Sequence, residues 1–403
     1  MKFEEFKKCT FDNWDDYFYK IEHNIISRIS LAANNSIKFL FPNIILFTET
    51  REHYIAEFFG SAKKYQGLLE KNHKEISTVR YLYQFGVQEN KNIGWELENH
   101  ILSNLFFTTE YDSNFLDERF PFHKRYGSRF ILTNCKEFVL SFSPKFRFSI
   151  FNDCLIGNKN GNIHRIKHIN LMIILNKKAR KKDYLSLLNI ETKESLQIGN
   201  AFVDTSFFYG VKTSRTDLQE KSFLAGQFAN IFLLPGLRET TIGEFINKNR
   251  DIILKAFSCK SLLYEPTFEW IEGSSDTNEK NINPDLIVES RDGRFDIYDL
   301  KTALLEKNNI TKGGQRRRRF IDYVYEGIAQ LANYEKYFTF EGNKQLVRNK
   351  YNIEVSNPDL ILVVGNYENV RPEEIEQAKR ALRSNYYIID YDTLNAMFLK
   401  SSS

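Results

Sequence analysis

The sequence predicts a mixed α/β chain: an αβββαβ unit from about residue 236 to 403, preceded by a mixed, β-rich N-terminal region. Three observations predict it. Apolar spacing switches between helical and strand periods along the chain. Only 19 Gly and 8 Pro occur in 403 residues, which argues for dense structure and against long disordered linkers. Leu234-Pro-Gly236 punctuates the chain, and the pattern after it reads helix, strand, strand, strand, helix, strand.

Residues 1–105 read as a mixed helical region, with helix-like stretches around 14–32, 50–70 and 94–107. In the first, Trp14, Tyr17, Phe18, Ile21, Ile25 and Ile29 recur at close to helical spacing. Residues 106–235 have strand texture. The runs 138–142 and 146–151 are aromatic and β-branched, and Asn158-Lys-Asn-Gly161 reads as a hairpin turn before Ile163–Leu175.

In the C-terminal unit, Thr241-Ile-Gly-Glu244 matches a capping box and is expected to open a helix. A strand is expected at about 261–271. Two more follow, Asp285–Glu289 and Phe295–Lys301, joined by Ser-Arg-Asp-Gly-Arg. A long helix is expected at 317–338 and a buried strand at 360–364. Pro372-Glu-Glu374 then starts a helix with proline first and acids in the first turn. A last strand at 386–391 and a short helix at 393–399 complete the order.

The net charge of +4 is mild, so any nucleic-acid surface must come from local clustering of Lys and Arg. Cys9, Cys135, Cys154 and Cys259 form no CxxC pair, which speaks against a zinc site and suits a reducing compartment. The acidic N-terminus lacks the apolar stretch of a signal peptide, and no uncharged run is long enough to span a bilayer. A soluble, cytoplasmic protein without membrane partners is expected. No Walker-type loop and no GxSxG elbow is present, so ATP hydrolysis and serine-hydrolase chemistry lack support.

The chemistry concentrates in Pro284-Asp285 and Asp299-Leu-Lys301. Mg²⁺ takes oxygen ligands and keeps several waters, so two carboxylates are enough protein ligation; Mn²⁺ is an accepted substitute. Side chains alternate along a strand, so Asp299 and Lys301 share a face, and the Leu300 backbone carbonyl between them is a third candidate ligand. The turn decides whether Asp285 can join them. A two-residue turn on Asp292-Gly293 pairs 285 with 300 and points Asp285 to the wrong face. A three-residue turn, Arg291-Asp292-Gly293 with Gly293 left-handed, pairs 285 with 299, and this register is predicted. Lys301 would orient or deprotonate the attacking water, and beside a cation it would be easier to deprotonate than a free lysine. The plain alternative is a turn acid and a solvated strand face. Pro-Asp-Leu-Ile recurs at 358–361 with no acid–lysine strand after it, so Asp359 is read as structural.

With these residues in order, segment 237–403 resembles the PD-(D/E)xK nuclease superfamily, and specifically the Shedu antiphage nucleases. The resembling phrases are Thr241-Ile-Gly-Glu-Phe-Ile246, Ile282-Asn-Pro-Asp285, Asp296-Ile-Tyr-Asp-Leu-Lys-Thr302, Arg318-Arg-Phe320 and Glu326-Gly-Ile-Ala-Gln-Leu-Ala-Asn-Tyr334. The resemblance implies a restriction-endonuclease-like core and a bacterial, Mg²⁺-dependent DNase. It further implies action on phage DNA in antiviral defence, and a homotetramer. The superfamily places a glutamate on its first helix, which matches Glu244, and Gln330 and Tyr334 repeat a QxxxY pattern seen in some members. Glu265 and Glu269 are lesser candidates for the acid.

Lys312-Gly-Gly-Gln-Arg-Arg-Arg-Arg319 sets Lys312, Arg316, Arg317, Arg318 and Arg319 beside flexible glycines, where they could follow a phosphate backbone. Tyr334 is a candidate for stacking against DNA. Lys177-Lys-Ala-Arg-Lys-Lys182 is read as a solvated turn. His164 and His168 would lie about 13 Å apart along a strand, too far to share a metal. The leading expectation is therefore a DNA endonuclease restrained by residues 1–235. Its competitors are a non-catalytic DNA-binding scaffold on a nuclease fold and a sequence-specific restriction endonuclease.

Overall fold

The structure is a computed structural model that describes residues 1–26, 38–49, 53–72, 105–108, 130–133, 148–158, 166–202, 208–214, 217–234, 238–273, 280–367 and 369–401. It has the expected mixed α/β class and divides into two compact units, Met1–Asn230 and Ile231–Ser403. The division falls four residues before Leu234, inside a helix rather than at Leu234-Pro-Gly236, where residues 235 and 236 lie outside the described residues.

The first unit is built on a seven-stranded sheet. Its strands are β1 (Ile44–Glu49), β2 (His53–Phe59), β3 (Leu69–Asn72), β4 (Leu105–Thr108), β5 (Phe130–Thr133), β6 (Phe148–Asn158) and β7 (Ile166–Asn176), in the order β3-β1-β2-β7-β6-β5-β4. Strands on both sides of residue 105 share this sheet, so the expected division of the first 235 residues at that point is not found. Helix α1 (Phe3–Lys20) packs against the sheet and continues into a π-helical turn, Ile21–Ile26. Phe6, Trp14 and Phe18 of α1 join Phe47, Phe58 and Tyr65 in an aromatic core.

Two expectations fail here. Residues 53–59, read as helical, form β2, because Tyr54-Ile-Ala-Glu-Phe-Phe59 is apolar enough to serve a sheet buried on both faces. Within the expected β-rich stretch lie two long helices, α2 (Lys181–Phe202) and α3 (Asp217–Phe232), whose register the strand reading overlooked. Antiparallel β6 and β7 flank the expected hairpin turn, while residues 138–142 and His164 lie outside the described residues. His168 sits opposite Leu155 on β7. The 177–182 cluster is a turn entering α2, with Lys177 paired to Glu49 and Lys181 to Glu5.

The second unit contains α4 (Glu239–Lys248), α5 (Asp251–Ala256) and β8 (Ser261–Tyr264), then the short hairpin β9 (Phe268–Glu269) with β10 (Asn281–Ile282). Next come β11 (Leu286–Glu289), β12 (Phe295–Leu300), and a second small hairpin, β13 (Thr311–Lys312) with β14 (Arg319–Phe320). Helices α6 (Asp322–Tyr337) and α7 (Glu341–Tyr351) precede β15 (Leu360–Val363), α8 (Pro372–Lys379), β16 (Tyr386–Ile389) and α9 (Tyr391–Lys400).

Its sheet has the order β8-β11-β12-β15-β16; the first three strands are antiparallel neighbours, and β15 and β16 run parallel to β12. Alternation sorts the two faces of β12. Ile297 enters one core with Val324, Ile328 and Leu331 of α6, whereas Tyr298 meets the Phe257 ring at 5.2 Å on the opposite side. The strand expected at 261–271 is broken at Glu265, whose φ of +44° and the following Pro266 end β8. The long helix begins at Asp322 rather than 317, because Gln315–Arg317 form a separate 3₁₀ turn. No helix among the described residues is long and apolar enough to cross a membrane.

Candidate active site

The hairpin β11–β12 sets the geometry. Its register pairs Leu286 with Tyr298 and Glu289 with Phe295, and extending it by one residue puts Asp285 opposite Asp299. Ser290 N–H donates to Arg294 O at 2.9 Å, which leaves Arg291-Asp292-Gly293 as the turn, with Gly293 at φ +86°. Asp292 fixes the turn by accepting from Ser290 and Arg294.

Alternation of hydrogen-bonded pairs makes 290–294, 288–296 and 286–298 bonded positions, and the next would be 284–300. Pro284 stands there without an N–H, so it cannot serve the Leu300 carbonyl. Leu300 N–H donates instead to Asp285 Oδ2 at 2.6 Å. Proline thus ends the ladder where the carboxylate takes over a backbone donor.

Asp299 and Lys301 are almost fully buried on the face covered by α6. A Cβ at Gly327 would lie 2.7 Å from Leu362 Cδ1 and 3.2 Å from Asp299 Oδ2. Glycine is what lets the helix come this close. One turn on, Gln330 Oε1 accepts from Lys301 Nζ at 2.6 Å. Lys301 Nζ also stands 2.8 Å from Asp299 Oδ2, as an ion pair rather than an aligned hydrogen bond, so this buried oxygen has no properly directed donor.

The electrostatics follow from burial. Desolvation, then repulsion from Asp299, push the Asp285 carboxyl up to about 7, although the Leu300 N–H opposes this. Desolvation raises Asp299 to about 6 against the pull of Lys301, with Glu239 and Glu326 adding repulsion. For Lys301 burial acts downward, but Asp299, Glu239 and Asp285 outweigh it and the ammonium is held above the ordinary lysine value. Among the protein's own groups Lys301 is thus a cation held by acids; the easier deprotonation expected of it belongs to a site with a bound cation.

The structure brings Asp285, Asp299, Lys301, Leu300 and Gln330 together, while Glu244 acts with Glu265 and Asp285 on the Tyr264 hydroxyl. Glu244 is exposed on α4, and the capping box that offered it a purely structural role is absent. The helix starts two residues before Thr241, and Thr241 is buried inside it. The acid that reaches the site is Glu239, in the first turn, with Oε2 3.9 Å from Lys301 Nζ and Oε1 accepting from the Tyr323 hydroxyl. An acid at the first helical position is a legible signal, because it faces the positive end of the helix dipole; placing the start at Thr241 hid it. Glu265 and Glu269 are exposed; Glu265 gives its backbone N–H to Asp285 O at 2.8 Å, and its carboxylate accepts from the Tyr264 hydroxyl.

Tyr334 is not a surface for stacking. It is 9% exposed and its hydroxyl donates to Asn283 O at 3.2 Å, bracing the chain just before Pro284-Asp285.

The basic segment is a built hairpin rather than a loose loop. Gly313 adopts φ +93°, and a Cβ there would lie 2.5 Å from Arg317 O. Glu374 anchors the hairpin by accepting from Thr311 Oγ1 (2.5 Å) and Asn309 Nδ2 (2.7 Å) and pairing with Arg318 at 3.4 Å. Lys312 is paired with Asp322 at 2.6 Å. Arg316, Arg317 and Arg319 remain exposed, without an ion-pair partner among the described residues.

Two neighbouring carboxylates that repel each other and a ladder position vacated by proline make a donor set suited to a hard divalent cation. Among the described residues no group of three His, Cys, Asp or Glu converges as a metal cage, so protein ligation would be two carboxylates with the Leu300 carbonyl. No protein-family model and no curated protein matches the chain.

Proposed function

We propose that residues 231–403 carry a Mg²⁺-dependent DNA endonuclease of the PD-(D/E)xK type, on a restriction-endonuclease-like core. The observation that carries this is Asp285 in register with Asp299, with Lys301 on the same buried face. The order helix, three strands, helix, strand around that hairpin supports the same reading.

Asp285 and Asp299, with the Leu300 carbonyl, would hold the cation. When bound, it supplies Lewis-acid stabilisation of charge on a scissile phosphate and a more acidic water. Lys301 presents a positive charge beside the reacting phosphate and hydrogen-bonds an attacking water, with Gln330 fixing its ammonium. Glu239 balances the lysine from α4. The exposed arginines of the β13–β14 hairpin would contact phosphates without reading sequence.

The test is cleavage of linear and supercoiled DNA by purified full-length protein with and without Mg²⁺, beside Lys301→Ala. Activity is expected in the wild type and a loss of at least a hundredfold in the variant, with the fold unchanged by circular dichroism. Equal activity in both would indict the assigned site. By the resemblance of segment 237–403, the enzyme would act in antiphage defence as a homotetramer; because an unrestrained DNase would damage its own cell, residues 1–235 would restrain it.

A further inference from the structure

One peptide group in the site is held at both ends. Just past the end of strand β12, Lys301 N–H donates to Val363 O at 2.9 Å. The Lys301 carbonyl accepts from the Tyr391 hydroxyl at 2.5 Å. The N–H of the same peptide, on Thr302, donates to the Tyr323 hydroxyl at 3.1 Å. That hydroxyl in turn donates to Glu239 Oε1 in a short hydrogen bond. The bonds run in one direction: Tyr391 O–H to carbonyl, amide N–H to Tyr323, Tyr323 O–H to carboxylate. Each donor is polarised by the bond before it, so the chain is stronger than its separate links.

We propose that Tyr323 is a positioning residue of the site, tying the Glu239 carboxylate to the Lys301–Thr302 peptide so that acid and lysine keep a fixed separation. The proposal rests on the metal-site reading above. It follows from what each partner could do alone. Glu239 begins a helix on a different element from the hairpin, and its direct approach to Lys301 is loose, at 3.9 Å. A carboxylate held only by that contact could turn into solvent, since its residue is half-exposed. Tyr323 removes that freedom. It sits one turn before Gly327 on α6, the helix that also delivers Gln330, so one rigid element sets two of the three partners of Lys301, Gln330 and Glu239. Tyr391, fully buried and stacked on Phe232 at 5.3 Å, fixes the other end of the peptide. A tyrosine serving only to fill space would need its ring but not its hydroxyl.

The experiment is a cycle of Tyr323→Phe, Glu239→Gln and the double variant in the full chain, read by Mn²⁺ affinity from titration calorimetry and by the kcat and KM of Mg²⁺-dependent DNA cleavage. Tyr323→Phe is expected to weaken Mn²⁺ binding about tenfold and lower kcat by a similar factor, with KM for DNA unchanged. The double variant should be no worse than Glu239→Gln alone, because both substitutions break one link. Wild-type Mn²⁺ affinity in Tyr323→Phe, or losses that multiply in the double variant, would overturn the proposal. A wild type that neither binds Mn²⁺ nor cuts DNA would instead defeat the nuclease reading. The tie between Tyr323 and Glu239 is then judged by thermal unfolding of the same four proteins. Midpoint shifts that are less than additive support it, and additive shifts refute it.

Discussion

Asp285 shows how much one side chain can carry. Its carboxyl is ionised with difficulty, held up at about 7 by burial and by Asp299, whereas in an unfolded chain it titrates near 3.9. Between those values the folded protein binds more protons than the unfolded one, so this group makes stability fall as pH rises from about 4 to 7. Asp285→Asn removes the charge and keeps an oxygen for the Leu300 N–H. The variant is expected to be more stable than the wild type at pH 8, by about 2–4 kcal/mol, and to lose that advantage at pH 4. Urea unfolding at the two pH values checks it; a difference independent of pH would mean the carboxyl is not strained. In the proposed enzyme a bound cation would relieve this strain, since it would offset the repulsion between the two carboxylates.

At the scale of elements, the β13–β14 hairpin is the clearest working part outside the acid pair. Two of its basic residues, Lys312 and Arg318, are committed to Asp322 and Glu374, which leaves Arg316, Arg317 and Arg319 exposed to meet phosphate. Replacing both Arg316 and Arg317 by alanine should weaken DNA binding uniformly across sequences. The slope of log affinity against log salt should become shallower by about 1–2, the loss of one or two phosphate contacts. Fluorescence anisotropy over a salt series measures this directly. An unchanged slope would place the DNA elsewhere. Helix α6 is the complementary element, for its close approach at Gly327 is what gives Gln330 and Tyr323 their reach.

For the whole molecule, the division into Met1–Asn230 and Ile231–Ser403 places every member of the candidate site in the second unit. Removing residues 1–230 should therefore leave the acid pair, lysine and hairpin intact. If the first unit restrains the enzyme, the 231–403 fragment will nick supercoiled plasmid at least tenfold faster than the full chain and be more toxic on expression. Equal rates and equal toxicity would dismiss restraint as the role of the first 230 residues.

What the sequence by itself determined is local and periodic. Asp-Gly in a five-residue connection dictated the three-residue turn, the turn dictated the register, and period-two alternation then put Asp285, Asp299 and Lys301 on one face. Pro372 and Leu360–Val363 were legible for the same reason: a proline start and a continuous apolar run are decided by neighbours in the chain. Only the tertiary structure decided which glutamate serves the lysine. Glu239 and Glu244 lie five residues apart, and their roles depend on where α4 begins and which face it turns toward Tyr323. It also decided that Tyr334 is buried, that Tyr391 reaches Lys301, and that apolar β2 joins a sheet rather than forming a helix. Those outcomes depend on packing between segments far apart in sequence, where burial and long-range hydrogen bonds override local pattern.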